Sequence, residues 1–352
     1  MNRKRLLALG MALCVMLGTA GCGGDSGKAQ PKGGDPAKAE QQKEEKAPEA
    51  VKLKIGAADV TAQMLSGFKL ETADVFAMKN LAYYKGDVIA AGEQEKSLIA
   101  VKIDGTKAAV DKAMFKDGIL AKDNRTLANP MVDASGNLYF TYGTVDIYYW
   151  NGSMQEARLS DTGYFAPGNT ADWGVYYFAQ NRFDRVAVNG GILGESKPWF
   201  ITMNGGKKDM PTVGPFTKVK YVRVDKDTIY VLGLATEEVA KNCEVLAAYT
   251  LDGQEKFISG GRKKGDPDTL YMSSNFAVTD KYIMVPEKDQ LKLFDKGTGA
   301  FVGGKEYAGI LGNGQKISSI VAIDGQTVAV ASRGPENKET KKYTFTLSTL
   351  KL

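Results

Sequence analysis

Residues 131–151, MVDASGNLYFTYGTVDIYYWN, decide how this chain is read. A short apolar segment leads into a polar turn, an alternating strand, a second turn and another alternating strand. The strands are β-branched and aromatic with a period of two, and the turns are rich in Asp, Gly and Asn. The same grammar returns down the chain. Aligning the second strand of each unit brings Val88, Leu138, Val175, Ile229, Ile283 and Val328 into register, with a mean spacing of about 48 residues. Turn residues precede each, among them Lys85-Gly86-Asp87, Asp172-Trp173-Gly174, Asp225-Lys226-Asp227 and Asp324-Gly325-Gln326. A later hairpin turn follows an alternating strand, at Asp104-Gly105, Asn151-Gly152, Asn204-Gly205, Asp252-Gly253 and Asp295 to Gly299. Asx-Gly pairs suit such turns because both central residues take positive φ.

Four-stranded units of this length are blades of a β-propeller, and there are six. The expected fold is therefore all-β: a six-bladed β-propeller with about 48 residues per four-stranded blade. The ends of the chain predict how the ring closes. The sixth unit runs through Tyr343-Thr344-Phe345-Thr346-Leu347 and lacks a fourth strand, while Val51-Lys52-Leu53-Lys54-Ile55 alternates with no hairpin partner of its own. Pairing of these N- and C-terminal strands is expected to close the ring, with the lysines guarding the outer edge. One unit is irregular. Trp199-Phe200-Ile201-Thr202-Met203 is read as its third strand, which leaves residues 179–198 as an inserted hairpin. A pair of β-sandwiches is the alternative fold.

Composition removes several chemistries. The 352 residues contain no histidine, which excludes His-dependent triads and His-bearing zinc sites. Cysteines are Cys14, Cys22 and Cys243; with Cys14 and Cys22 spoken for by the N-terminal segment, Cys243 has no partner for an intramolecular disulfide. It reads as a small buried apolar residue, since no imidazole is available to activate it. The formal charge of +5 falls to about +2 without Arg3, Lys4 and Arg5, which gives no electrostatic case for nucleic acid.

The first 22 residues read as an address. A basic start precedes an apolar run over 6–17, then Thr19-Ala20-Gly21-Cys22. The layout resembles the signal and lipobox of bacterial lipoproteins, with Thr19 where that family usually has Leu. The resemblance implies removal of residues 1–21 and acylation of Cys22 by palmitate-like chains. It places the chain in the bacterial cell envelope: the outer membrane of a two-membrane cell, since Gly23 gives no retention signal, or otherwise the outer face of the plasma membrane. An ordinary cleaved signal with an incidental Cys22 is the other reading. Residues 22–52 form the lipidated cysteine and a tether whose six basic and six acidic residues cancel. Too few apolar residues lie there to order it, and a flexible chain of that length spans about 30 Å. The propeller is expected over 53–352.

The architecture resembles six-bladed propellers of the TolB-like and NHL-like kind, which implies a shape and no single activity. Candidate chemistry is sparse. Asp225/Asp227 and Asp266/Asp268 have a spacing seen in calcium loops, but the remaining oxygen ligands do not follow, and Asx turns explain them as well. Asn189-Gly190-Gly191 lacks dinucleotide spacing. Arg262, Lys263 and Lys264, between Gly261 and Gly265, form the one concentrated basic patch: an anion site, or a solvated loop. With them, Tyr164, Phe165, Arg182 and Arg185 are expected on the loop face as ligand or partner contacts, beside Arg125, Phe216, Tyr271 and Arg333; the aromatics could equally pack beneath their own loops. No catalytic or metal residue, no cofactor and no oligomer is assigned. The functional expectation is a membrane-anchored binding or scaffold module for an envelope protein or a glycan. The alternative is a propeller hydrolase or lactonase with a carboxylate or calcium centre in the central funnel.

Overall fold

The computed structural model describes residues 48–92, 96–115, 119–120, 127–132, 138–142, 146–160, 163–165, 175–176, 187–188, 191–192, 199–202, 206–209, 215–250 and 254–352. The expected signal, Cys22 and most of the tether lie outside them. The fold is all-β and antiparallel. Among the described residues the strands form six sheets in chain order and one separate hairpin.

The first sheet runs Ala82–Tyr84, Asp87–Ala91, Ser97–Asp104 and Lys107–Val110, with Ile119–Leu120 added beside the third strand. The second runs Leu127–Val132, Leu138–Tyr142, Asp146–Trp150, Met154–Ser160 and Gly163–Phe165. The third has Val175–Tyr176, Trp199–Thr202 and Gly206–Asp209, so Trp199–Thr202 takes the place expected for it, and Ala187–Val188 with Gly191–Ile192 forms the inserted hairpin. The fourth holds Phe216–Asp225, Thr228–Ala235, Glu244–Thr250 and Glu255–Ser259. The fifth holds Ala277–Val278, Tyr282–Pro286, Gln290–Asp295 and Phe301–Glu306.

The sixth sheet is built from both ends of the described chain. Lys316–Ala322, Thr327–Arg333 and Tyr343–Lys351 are followed outward by Ala58–Met64 and then Val51–Ile55. This corrects the expected closure in two respects. Val51–Ile55 is the outer edge, but it pairs only with Ala58–Met64, Leu53 opposite Val60. It is Ala58–Met64 that pairs with the C-terminal strand, Ala62 opposite Leu350, while Phe345 meets Leu70. Val51 and Lys52 already lie in a strand. The physical reason is burial: Ala58, Val60 and Ala62 turn inward under the fifth and sixth sheets, and the hairpin through Gly56 (φ +58) carries the exposed lysines to the rim.

The second strands explain the repeat. Those of the first, second, fourth, fifth and sixth sheets carry runs of consecutive apolar residues, so successive side chains go to opposite faces and both faces are buried. In Thr327–Arg333, Val328 and Val330 enter a cluster shared with the fifth sheet, whereas Ala329 and Ala331 enter one shared with the first. In Asp87–Ala91, Val88 and Ala90 face the sixth sheet, and Ile89 and Ala91 face the second. In Thr228–Ala235, Ile229 and Val231 lie on one side, with Tyr230 and Leu232 facing the fifth sheet. In Tyr282–Pro286, Ile283 and Val285 face the fourth sheet, and Met284 faces the sixth. Thus Val88, Leu138, Ile283 and Val328, aligned by sequence alone, all lie in the cluster shared with the preceding sheet. Each fully buried Val, Ile or Leu contributes roughly 1.5–3 kcal/mol, so the cohesion of the molecule lies between sheets.

A buried polar chain reinforces three of them. Asn275 Nδ2 donates to Ser319 Oγ (2.8 Å) and Ile320 O (2.9 Å), and Ile320 N donates back to Asn275 Oδ1 (3.0 Å). Leu81 N then donates to Ser319 Oγ (2.9 Å), linking the fifth, sixth and first sheets.

Candidate functional site

Residues 260–276 connect Glu255–Ser259 of the fourth sheet to Ala277–Val278 of the fifth, and they hold most of the chemistry singled out in the sequence. The first half is a closed set of turns. Gly260 and Gly265 take φ of +113° and +106°, which releases the chain at both ends of the basic triplet. Asp266 Oδ2 accepts from Lys263 N (3.1 Å), Asp266 N donates to Lys263 O (3.1 Å), and Thr269 N donates to Asp266 O (3.1 Å). Lys292 Nζ, buried on the fifth sheet, donates to Thr269 O and pairs with Glu287 at 2.8 Å. Arg262, Lys263 and Lys264 are exposed above this scaffold. Gly261 fits beneath this turn: a Cβ there would meet Thr269 Oγ1 at 2.5 Å, Asp268 Oδ1 at 2.6 Å and Asp266 Cβ at 2.8 Å. The Asp268 carboxylate therefore lies against Gly261, with only the Cβ of Asp266 beside it. Asp266 is committed to Lys263 N, whereas the half-exposed Asp268 carboxylate meets no hydrogen-bond or ion-pair partner among the described residues.

The second half is clamped by Glu244, the first residue of Glu244–Thr250. Its backbone N–H donates to Leu270 O (2.8 Å) and its Oε2 accepts from Ser273 N (2.9 Å). Its Oε1 pairs with Lys220 Nζ at 2.6 Å, and the same ammonium donates to Ser273 O (2.7 Å). Between the two anchors Tyr271 and Met272 bulge outward, 40% and 59% exposed. Met272 has φ +53°, a left-handed backbone that costs a non-glycine residue about 1–2 kcal/mol. Lys264 Nζ lies 5.6 Å from the Tyr271 ring centroid. Burial, then the Glu244 carboxylate, pushes the nearby Tyr221 hydroxyl up. Burial pulls the Arg223 guanidinium down to about 10; it lies 5.8 Å from the Phe276 ring. Burial, then Asp266 and Glu244, raises the Cys243 thiol, so this buried cysteine is held protonated.

The other expected site residues separate. Tyr164 and Phe165 lie in Gly163–Phe165, an edge strand of the second sheet paired with Met154–Ser160, and not in a connecting loop. Phe216 is buried in the core of the fourth sheet. Arg333 donates to Val75 O (2.8 Å) and covers the Tyr343 ring at 4.9 Å. Arg125, Arg182 and Arg185 lie outside the described residues, as does Cys22. Asp225 and Asp227 sit at the opposite sheet ends, with Asp280, Asp295 and four lysines around a polar cavity of about 380 Å³. Asp225 pairs there with Lys296, and Asp227 accepts from Thr228 Oγ1 (3.0 Å). No group of three or more Cys, Asp or Glu able to hold a metal occurs among the described residues. Sequence reasoning missed Glu244, Lys220 and Ser273; only Glu244, an acid opening an otherwise apolar strand, carried any signal.

No family model matches the chain, and no curated protein does. Solved structures similar to it include the PQQ-bound aldose sugar dehydrogenase of Streptomyces coelicolor. That structure has 13% identity and a TM-score of 0.45, over 84% of this chain and 99% of that one. The soluble aldose sugar dehydrogenase of Escherichia coli, in its apo form, has 12% identity and a TM-score of 0.44, over 83% of this chain and 99% of that one. Both are dehydrogenases, and their activity is said of them alone; the expected binding or scaffold module is not carried forward. The enzyme alternative is the one carried forward.

Proposed function

We propose that this chain is a six-bladed propeller enzyme, lipid-anchored in the bacterial envelope through Cys22, that hydrolyses a small anionic ester or lactone on the loop 260–276. Six successive sheets, with apolar clusters shared between neighbours and a sixth sheet joining both ends of the described chain, support the blade count and the closure. The observation that carries the function is the Asp268 carboxylate, unpartnered among the described residues, lying against Gly261 beside three exposed cations on a loop fixed from below. Preorganisation of this kind lowers the cost of orienting a reactant. Arg262, Lys263 and Lys264 hold the substrate anion. Asp268 takes a proton from water as the water oxygen adds to the carbonyl carbon, and returns it to the departing alkoxide as the C–O bond breaks. Asp266 positions the loop through Lys263 N. The centre thus lies on a connecting loop, in place of the expected funnel.

The test is turnover of anionic aryl esters and lactones by the purified chain and by Asp268→Asn, with aldose oxidation in the presence of added PQQ as a parallel assay. Hydrolysis that falls at least about a hundredfold in Asp268→Asn supports the reading. No hydrolysis, or equal rates, overturns it, and sugar oxidation alone would replace it with a dehydrogenase. The anchor is tested separately: incorporation of a labelled fatty acid in a bacterial host should vanish in Cys22→Ser.

A further inference from the structure

We infer that the Tyr271–Met272 bulge is a recognition platform for a flat ring carried by the substrate, so that the substrate class narrows to anionic aromatic molecules. This rests on the loop 260–276 being the working site.

Three observations point the same way. The bulge is held open from inside: Glu244 binds Leu270 O with its backbone and Ser273 N with its carboxylate, and Lys220 neutralises that carboxylate while gripping Ser273 O. A loop needs none of this merely to connect two sheets. Second, the arrangement runs against stability. Met272 is apolar, largely exposed and left-handed, where glycine would sit without strain. The next residue, Ser273, buries a hydroxyl that meets no hydrogen-bond partner among the described residues. An orphaned buried hydroxyl and a strained exposed methionine in adjacent positions are features that function retains and stability alone does not. Third, the chemistry is complementary to a ringed anion. Tyr271 offers an aromatic face, Met272 a polarisable thioether suited to aromatic contact, and Lys264 a cation over the Tyr271 ring with Arg262 and Lys263 close in the chain. Glu244 and Lys220 touch no solvent-facing part of the platform and act as positioning residues.

The experiment uses the full chain and a fluorescent aromatic sulfonate, 1-anilinonaphthalene-8-sulfonate, titrated alongside urea unfolding of each protein. Tyr271→Ala and Met272→Gly should each weaken dye affinity about five- to tenfold. Met272→Gly should do so with an unchanged or higher urea midpoint, because strain is relieved. Ser273→Ala should likewise keep or raise the midpoint, because the hydroxyl it removes has no hydrogen-bond partner among the described residues. Glu244→Gln should weaken the dye and speed amide exchange at 271–273. Octyl sulfonate, which has the anion without the ring, should compete at least tenfold less well than naphthalene sulfonate. Unchanged affinity in Tyr271→Ala and Met272→Gly, or equal competition by the alkyl sulfonate, overturns the inference. Its failure is distinguishable from that of the hydrolase: Asp268→Asn cuts turnover at least about a hundredfold without weakening dye affinity if both hold. Site-specific dye binding without turnover leaves the platform standing and removes the hydrolase.

Discussion

Asp87 opens the second strand of the first sheet and is 3% exposed. Burial is the largest cause that pushes its carboxyl up to about 6, from 3.8; the Asp111 carboxylate facing it is the second, and Lys102, its cross-strand neighbour, opposes both. Asp111 is held low because it accepts from Ala113 N (2.7 Å) and Met114 N (3.4 Å), which leaves Asp87 to carry the proton. The folded state therefore binds this proton more tightly than the unfolded chain does. The stability it contributes is fully present below pH 3.8 and is lost as pH rises through about 6. A shift of about 2 units corresponds to at most roughly 3 kcal/mol of stability lost by neutral pH. Asp87→Asn keeps the shape and removes the charge. Urea unfolding of both proteins from pH 4 to pH 8 should show similar midpoints at pH 4 and a more stable variant at pH 8, by up to about 3 kcal/mol. A stability advantage of Asp87→Asn that is the same at both ends of the range, or no advantage at pH 8, would refute the buried-proton argument.

Asn275→Ala strips the partner from Ile320 N and the donor from Ser319, and should cost about 2–3 kcal/mol in urea unfolding. Lys220→Met leaves Glu244 buried without its counter-ion and should cost about 3–5 kcal/mol, whereas the double change Lys220→Met/Glu244→Leu should recover most of that loss. Ala62→Pro removes an N–H from a strand paired on both sides and should cost about 3 kcal/mol or more; the same change at Lys52, on the outer edge, should cost far less.

The sequence was legible wherever one residue's environment repeats. A second strand buried on both faces must carry a continuous apolar run bounded by turns, and that pattern recurs with the fold's own period. This is why Val88, Leu138, Ile283 and Val328 could be aligned by sequence and proved equivalent in space. It is also why the insertion before Trp199 could be set aside. Ala58–Met64 escaped because Ala58, Asp59 and Ala62 have weak strand preference and dilute that of Val60 and Thr61. Its strand character comes from the neighbour it covers, and with it missing, Val51–Ile55 was joined to the wrong partner. The loop face divided similarly. The basic triplet and the paired aspartates were visible as residue types, and the turns that hold them were not.

By itself the sequence determined the all-β class and the recurrence of the strands buried on both faces, because periodicity is local. Only the tertiary structure brought Glu244 onto both ends of the Tyr271–Met272 bulge, placed Lys220 beside it, and turned Asp268 over Gly261. Contacts between side chains on different sheets leave no period in the chain, since each is a single event fixed by how the sheets pack.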